Sequence, residues 1–266
     1  MKHFLLFLAL PLCLVLKAQE PTKQLLWPKE VTTEAELFVY RPAEATLPSP
    51  AVLICPGGGY SGLAIDHEGH AMAKWYVSQG FVAVVLKYRM PKGAHTLPLA
   101  DAEKAIATIR SQAKEWKLNP QKVGVIGSSA GGHLAASLST LAAGENRPDF
   151  AILYYPVISF AEETTHGGSR KNLLGEAKDN QTLIERYSLD KQVDSKTPQT
   201  LLLLSDDDKV VLPKNSLLYY EALKEKNIAA ALYLFPIGGH GWGFNTSFIY
   251  HEDVKQLIQK WLKEVI

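Results

Sequence analysis

The sequence holds only two cysteines in 266 residues, Cys13 and Cys55. Cys13 falls in an N-terminal apolar stretch, so a chain cleaved after Ala18 keeps one thiol and has no internal disulfide. Such a fold must stand on its hydrophobic core. An excess of charge of one sign is lacking too. Lys and Arg number 28 against 27 Asp and Glu, a formal net charge of +1, and no basic block offers a phosphate-binding face. That argues against a nucleic-acid partner. The apolar run from Phe4 to Leu16 is too short to span a bilayer. Preceded by Lys2, it reads as a secretory signal peptide over residues 1–18. Export to the periplasm or the medium follows, with no membrane partner after cleavage. "LPLC" lacks the small residues that precede a lipid-modified cysteine, so Cys13 is not read as an anchor. Internal repeats, low-complexity tracts and linkers are also missing. Hydrophobic residues make up 47% and charged ones 21%, a soluble globular balance, and residues 19–266 are expected to form one domain.

What is present is an alternation of strand and helix signals. Strands are expected at Glu36 to Tyr40, Ala51 to Cys55, Phe81 to Tyr88, "KVGVIG", Phe150 to Val157, Gln199 to Ser205 and Ala230 to Phe235. Between them, helical periodicity covers Ala64 to Gln79, Asp101 to Trp116, "AGGHLAASLSTLAA" and about Pro213 to Lys226. A last helix runs from about Glu252 to the end. Continuous apolar runs such as "AVLIC" fit strands buried on both faces. The fold class is therefore α/β, a mostly parallel sheet with helices on both faces. A polar insertion at about 159–197 is the one irregular region.

Gly127-Ser128-Ser129-Ala130-Gly131 fits G-x-S-x-G between a buried strand and a helix. Such an elbow thrusts its central serine above the sheet, which makes Ser129 the candidate nucleophile and Ser128 a flanking residue turned away. A serine hydroxyl needs a base and a carboxylate to orient that base. His240, in "PIGGHGWG", follows a strand end, and its flanking glycines predict a mobile loop. Asp208, in "SDDDKVV", follows another strand end and is the expected orienting acid, with Asp207 as fallback. The order Ser129, Asp208, His240 is that of the α/β-hydrolase architecture. "CPGGGYSG" offers backbone amides at Gly57, Gly58 and Gly59 for an oxyanion. Ala130, just after the serine, offers another.

Other histidines carry plainer expectations. His133, four residues past Ser129, is expected to pack or hydrogen-bond locally. "DHEGH" spaces His67 and His70 three apart rather than the four of the zinc-protease signature, so it is read as a loop and helix start. His95, His166 and His251 lack a glycine-flanked strand-end setting. The acidic run Asp206 to Asp208 does not complete a calcium loop, and no Lys-Ser/Thr follows the glycines to make a nucleotide cradle. Neither a metal nor a cofactor is expected.

"CPGGGYSGLAIDHEG", "LKYRMP", "SSAGGHLAA", "LLLLSDDDKVVLPKNSLLYYEAL" and "FPIGGHGWG" together resemble secreted bacterial α/β-hydrolases of the acetyl xylan esterase and feruloyl esterase-like group. The resemblance covers about residues 30 to 266. It implies the α/β-hydrolase fold and hydrolysis of small acyl esters, often on polysaccharide. It implies Ser129, Asp208 and His240 as a triad, and Gly58, Gly59 and Ala130 as oxyanion amides. The chain departs from the related HGGG pattern at Pro56, which changes what buttresses that loop. A peptidase or another acyl hydrolase using the same triad, and a non-catalytic binding protein on this fold, are the competing expectations. In the insertion, Arg170 and Lys171 are candidates for contact with uronic acids, a solvated surface being the simpler account.

Overall fold

The computed structural model describes residues 20–43 and 48–266. The expected signal peptide lies outside the described residues, and Cys13 with it. The strands are β1 (Thr22–Leu25), β2 (Glu36–Tyr40), β3 (Ser49–Cys55), β4 (Val82–Lys87), β5 (Leu118–Ser128), β6 (Phe150–Tyr154), β7 (Gln199–Ser205) and β8 (Ala230–Phe235). They form one sheet in the order β1-β2-β4-β3-β5-β6-β7-β8. β2 runs antiparallel to both neighbours, and the other pairs are parallel. This is the expected α/β-hydrolase architecture.

The helices are α1 (Ala71–Ser78), α2 (Leu97–Ser111), α3 (Ala113–Trp116), α4 (Ser129–Leu141), α5 (Gly167–Leu174), α6 (Gln181–Arg186), α7 (Lys214–Glu225) and α8 (His251–Val265). Successive strand side chains point to opposite faces, and both faces of the sheet are buried. Leu53 and Cys55 of β3, Val125 of β5 and Leu153 of β6 meet side chains of α2, α4 and α7 on one face. Val52, Ile54, Ile126 and Ile152 meet α1 and α8 on the other. α8 shows why it docks. Val254, Ile258, Trp261 and Leu262 form its buried stripe, while Glu252, Asp253, Gln256, Lys260 and Lys263 face water.

Four departures from the sequence expectation have local causes. β1 is a short exposed edge strand without apolar alternation. α2 begins at Leu97 rather than Asp101, because Pro98 sits in its first turn, where the missing amide costs nothing. β5 begins at Leu118, across Asn119-Pro120. The insertion contains α5 and α6, whose helical starts are set by caps. The side chains of His166 and Asn180 accept the amides of Ser169 and Leu183.

The insertion is tied to the sheet through His133 on α4. Its Nε2 lies 2.9 Å from the Tyr187 carbonyl and must donate to it. Its Nδ1 then accepts from the Tyr60 hydroxyl at 2.9 Å. The ring stacks on Phe160 at 4.5 Å. His133 packs and hydrogen-bonds as expected, but not locally: its partners come from three separate segments. Burial pushes this imidazole down to about 4 from its ordinary 6.5. Between those values the unfolded chain binds the proton and the fold does not, so stability falls as pH drops through that window. His133→Gln removes the titration. Its urea unfolding free energy is expected to be lower than the parent's at pH 7. From pH 7 to pH 5 it should fall by about 2 kcal/mol less than the parent's. An equal acid slope in both proteins would remove His133 from the acid response.

Candidate active site

β5 delivers Ser128 and α4 begins at Ser129 with no residue between. Ser129 has φ 53°, a left-handed conformation that costs about 1–3 kcal/mol and persists only where the surroundings hold it. Three glycines provide that hold by letting backbones touch. A Cβ on Gly127 would lie 2.2 Å from the Gly131 carbonyl oxygen, one on Gly131 2.1 Å from the Cys55 oxygen, and one on Gly132 2.7 Å from Pro156 Cβ. The Val157 amide donates to the Ser129 carbonyl at 3.1 Å. Ser128 is wholly buried and Ser129 is 7% exposed, so the turn presents the second serine and hides the first.

Ser129, His240 and Asp208 come together. His240 Nε2 is 2.9 Å from Ser129 Oγ, and Nδ1 is 2.7 Å from Asp208 Oδ2. The other Asp208 oxygen accepts the amides of Val210 and Val211 at 2.9 and 3.0 Å. Those bonds fix the carboxylate, and with it the ring orientation. Asp207 stands apart from the imidazole. Its exposed carboxylate accepts the Gly239 amide at 2.7 Å, which holds it below the usual carboxylate range. The two adjacent acids thus grip the same loop by backbone and by ring.

The glycines around His240 do not make a mobile loop. Gly238, Gly239, Gly241 and Gly243 all have positive φ, so they serve the shape of the loop. It is pinned along its length. His67 Nε2 meets the Gly241 carbonyl at 3.1 Å, and the Phe244 amide donates to the His67 carbonyl at 2.9 Å. Trp242 donates to Ser205 Oγ at 3.1 Å and stacks on Phe248 at 4.2 Å. His70, by contrast, meets the Tyr40 hydroxyl at 2.8 Å, so the two histidines of "DHEGH" serve different partners.

Glu68, between them, is the residue that sequence reasoning missed. It is 2% exposed. Oε2 accepts the Gly57 amide at 2.7 Å, and Oε1 accepts the Tyr155 hydroxyl at 2.6 Å. Burial and the Glu68 charge push the Tyr155 phenol well above its ordinary value, so it keeps its proton and donates. The same phenol oxygen accepts the Gly243 amide at 2.6 Å, and its ring meets His240 edge-on at 4.7 Å. Glu68 is the buttress of the loop that begins at Pro56. Because the Gly57 amide is committed to Glu68, it is not free for an oxyanion. The amides of Gly58 and Gly59 have no acceptor among the described residues, and Ala130 sits in the first turn of α4, where amides lack helical partners.

His166 was passed over as well. It caps α5, its Nδ1 is 2.8 Å from Ser169 Oγ, and its Cε1 lies 4.0 Å from where a Gly59 Cβ would be. Burial, and then the nearby His240, lower its ordinary proton affinity. A lone histidine in a polar insertion carries no signal of this proximity.

A family model described as BD-FAE matches residues 37–223. The chain belongs to that family of α/β hydrolases. It is 40% identical over 218 residues to the acetylxylan esterase of Xylanibacter ruminicola, covering 81% of this chain and 45% of that protein. It is 36% identical over 205 residues to endo-1,4-beta-xylanase B of Butyrivibrio fibrisolvens, covering 71% of this chain and 32% of that protein. The chain spans less than half the length of these curated relatives. Among solved structures, the acetyl ester-xyloside bifunctional hydrolase of Caldicellulosiruptor lactoaceticus superposes with a TM-score of 0.85 at 34% identity. The match covers 93% of this chain and 97% of that one.

Glu68→Gln tests the buttress. An amide oxygen accepts one donor while its NH2 group confronts the other, so Gly57 and its neighbours lose their fixed position. The turnover number on nitrophenyl acetate is expected to fall about ten- to a hundredfold, less than deletion of an oxyanion donor, with little change in KM. Phosphonylation of Ser129, in which the phosphoryl oxygen takes the place of the carbonyl oxygen and gains negative charge as fluoride is displaced, should slow by a similar factor. A variant that lost stability but kept both rates would make Glu68 purely structural.

Proposed function

We propose that the protein is a serine carboxylesterase that removes short acyl groups, of acetyl type, from carbohydrate. The observation that carries this reading is the Ser129–His240–Asp208 chain of 2.9 and 2.7 Å hydrogen bonds. Ser129 Oγ attacks the ester carbonyl as its proton passes to His240 Nε2. Asp208 stabilises the imidazolium through Nδ1, and the amides of Gly58, Gly59 and Ala130 receive the negative carbonyl oxygen. His240 then gives its proton to the leaving sugar oxygen, which leaves an acyl-Ser129 ester. Water attacks that ester, loses a proton to His240 and releases the acid as Ser129 Oγ recovers the proton. No metal or cofactor enters these steps.

The carbohydrate side is supported by relatives named acetylxylan esterase, xylanase B and acetyl ester-xyloside hydrolase. The preference for short acyl groups is supported by the insertion. Its apolar side chains Phe160, Leu173, Leu174, Ile184, Tyr187 and Leu189 are buried in the core, where they cannot line an acyl channel. Export directed by residues 1–18 belongs to the same proposal and fits a polymeric substrate met outside the cytoplasm.

Ser129→Ala is expected to lower the turnover number by roughly 10^5- to 10^6-fold and to abolish labelling by a fluorophosphonate. In the parent, kcat/KM on nitrophenyl esters should fall beyond about four carbons, because a methylene that finds no apolar wall gains none of its usual ~0.8 kcal/mol. Acetate release from acetylated xylan is the companion assay. Octanoate outperforming acetate, with no acetate released from any glycan, would replace this reading by a lipase.

A further inference from the structure

One groove, about 690 Å3, lies near the starts of β5 and β6, at the opposite end of these strands from Ser129. Its cation Arg110 is bound to the carbonyls of Glu145 and Arg147 and to Asp149, so that charge serves the fold. A second groove, about 330 Å3, differs in both respects. It is lined by Tyr60 and Ser61, the residues that directly follow Gly58 and Gly59. That volume is at the small end of ligand pockets, which run from about 300 to 1,000 Å3.

The groove is built rather than incidental. Asn172 of α5 donates from Nδ2 to the Gly59 carbonyl at 2.8 Å, which couples its wall to the loop beside Ser129. Gly93 and Gly175 meet backbone to backbone, since a Cβ on Gly175 would lie 2.7 Å from Gly93 Cα. The Gly93 amide donates to the Asn172 carbonyl at 3.2 Å. This closes the floor without side chains. Lys92, just before Gly93, has φ 47° and is set by that turn.

Three lysines, Lys92, Lys171 and Lys178, line the groove against a single acidic residue, Glu176. Lys178 pairs with Asp179, but Lys92 and Lys171 have no carboxylate partner among the described residues. In a chain of net charge +1, this is a local excess. Arg170 is not part of it. Its guanidinium is buried against Glu162, Asp179 and the carbonyls of Phe160 and Lys178, which corrects both sequence accounts of that residue.

We infer that this groove seats an acidic sugar of the substrate chain, its carboxylate between Lys92 and Lys171, while a neighbouring acyl ester is presented to Ser129. The inference rests on the esterase reading and adds a substrate class to it. Lysine suits this task, since a flexible ammonium binds a carboxylate as a point charge without demanding one orientation. The hydroxyls of a sugar ring find partners in Asn172 and Ser61.

The test compares acetylated xylo-oligosaccharides carrying one glucuronic acid side group with the same compounds after reduction of the carboxyl to an alcohol. The parent enzyme is expected to favour the acidic form in kcat/KM by roughly three- to tenfold at low salt, and less as salt rises. In the Lys92→Gln/Lys171→Gln double variant the ratio should approach one. The ratio is the readout, so any general loss of activity cancels. Calorimetric binding of the acidic and reduced oligosaccharides to Ser129→Ala reports the groove without turnover. Equal binding and equal kcat/KM for the two forms, or a preference that survives the double variant, would overturn the groove. A parent enzyme inert on every acetylated glycan, yet whose Ser129→Ala form still favours the acidic chain, would overturn the esterase reading and leave the groove standing.

Discussion

The buried carboxylate of Glu68 is the joint at which three loops meet. One oxygen holds the Gly57 amide after β3, and the other holds the Tyr155 hydroxyl after β6. Tyr155 passes the connection to Gly243 in the loop after β8. A carboxylate taken out of water is costly unless its oxygens are matched by donors. Here the matching donors belong to different segments, so satisfying the carboxylate requires all three to be in place. The cost of burial is thereby converted into position. The loop bearing the uncommitted amides and the loop bearing His240 cannot shift independently.

The elbow meets the same demand from the other side. Ser129 is held in a left-handed conformation that no β-strand or α-helix supplies. The hold comes from close backbone packing at Gly127, Gly131 and Gly132. Gly131 lies against the Cys55 and Pro56 carbonyls, at the start of the loop that Glu68 anchors. Strain at the serine and burial at the glutamate are therefore offset by one packed unit. Such a unit keeps the rigidity underneath Ser129, which is itself nearly buried.

The elements buried on both faces were legible because continuous apolar runs have few other uses. β2, β7 and β8 fall at the expected bounds, β3 and β4 lie within two residues of theirs, and β6 starts as expected but ends at Tyr154, three residues before Val157. The chain of Ser129, Asp208 and His240 was legible because each residue follows a strand end. Asp207 could not be separated from Asp208 by sequence, since the choice depends on which carboxylate turns inward past Ser205. Glu68 is masked in sequence by its neighbours, because His67 and His70 give the segment the look of a metal motif. Pro56 in place of histidine points to a different buttress for the loop but does not say which residue supplies it. α5 escaped because Gly167-Gly168 opens it, and its start depends on a histidine cap and its neighbours on the ion pairs of Arg170. Glycines around His240 signal freedom or shape equally well in sequence, an ambiguity that only the hydrogen-bond partners resolve.

The insertion then takes on a different meaning from a surface loop. Through Tyr187, His133 and Tyr60 it is bonded to the segment that follows Gly58 and Gly59, and through Asn172 to Gly59 itself. His166, at the start of the same helix that carries Lys171 and Asn172, stands beside Gly59 and near His240. One short helix thus runs from the reacting centre to the cationic groove. Under the proposed function, a sugar engaging the far end of α5 is gripped by the same body that holds the loop of Gly58 and Gly59. Binding energy gained there can be expressed at the carbonyl, where it favours the transition state, and is not confined to holding the ground-state complex.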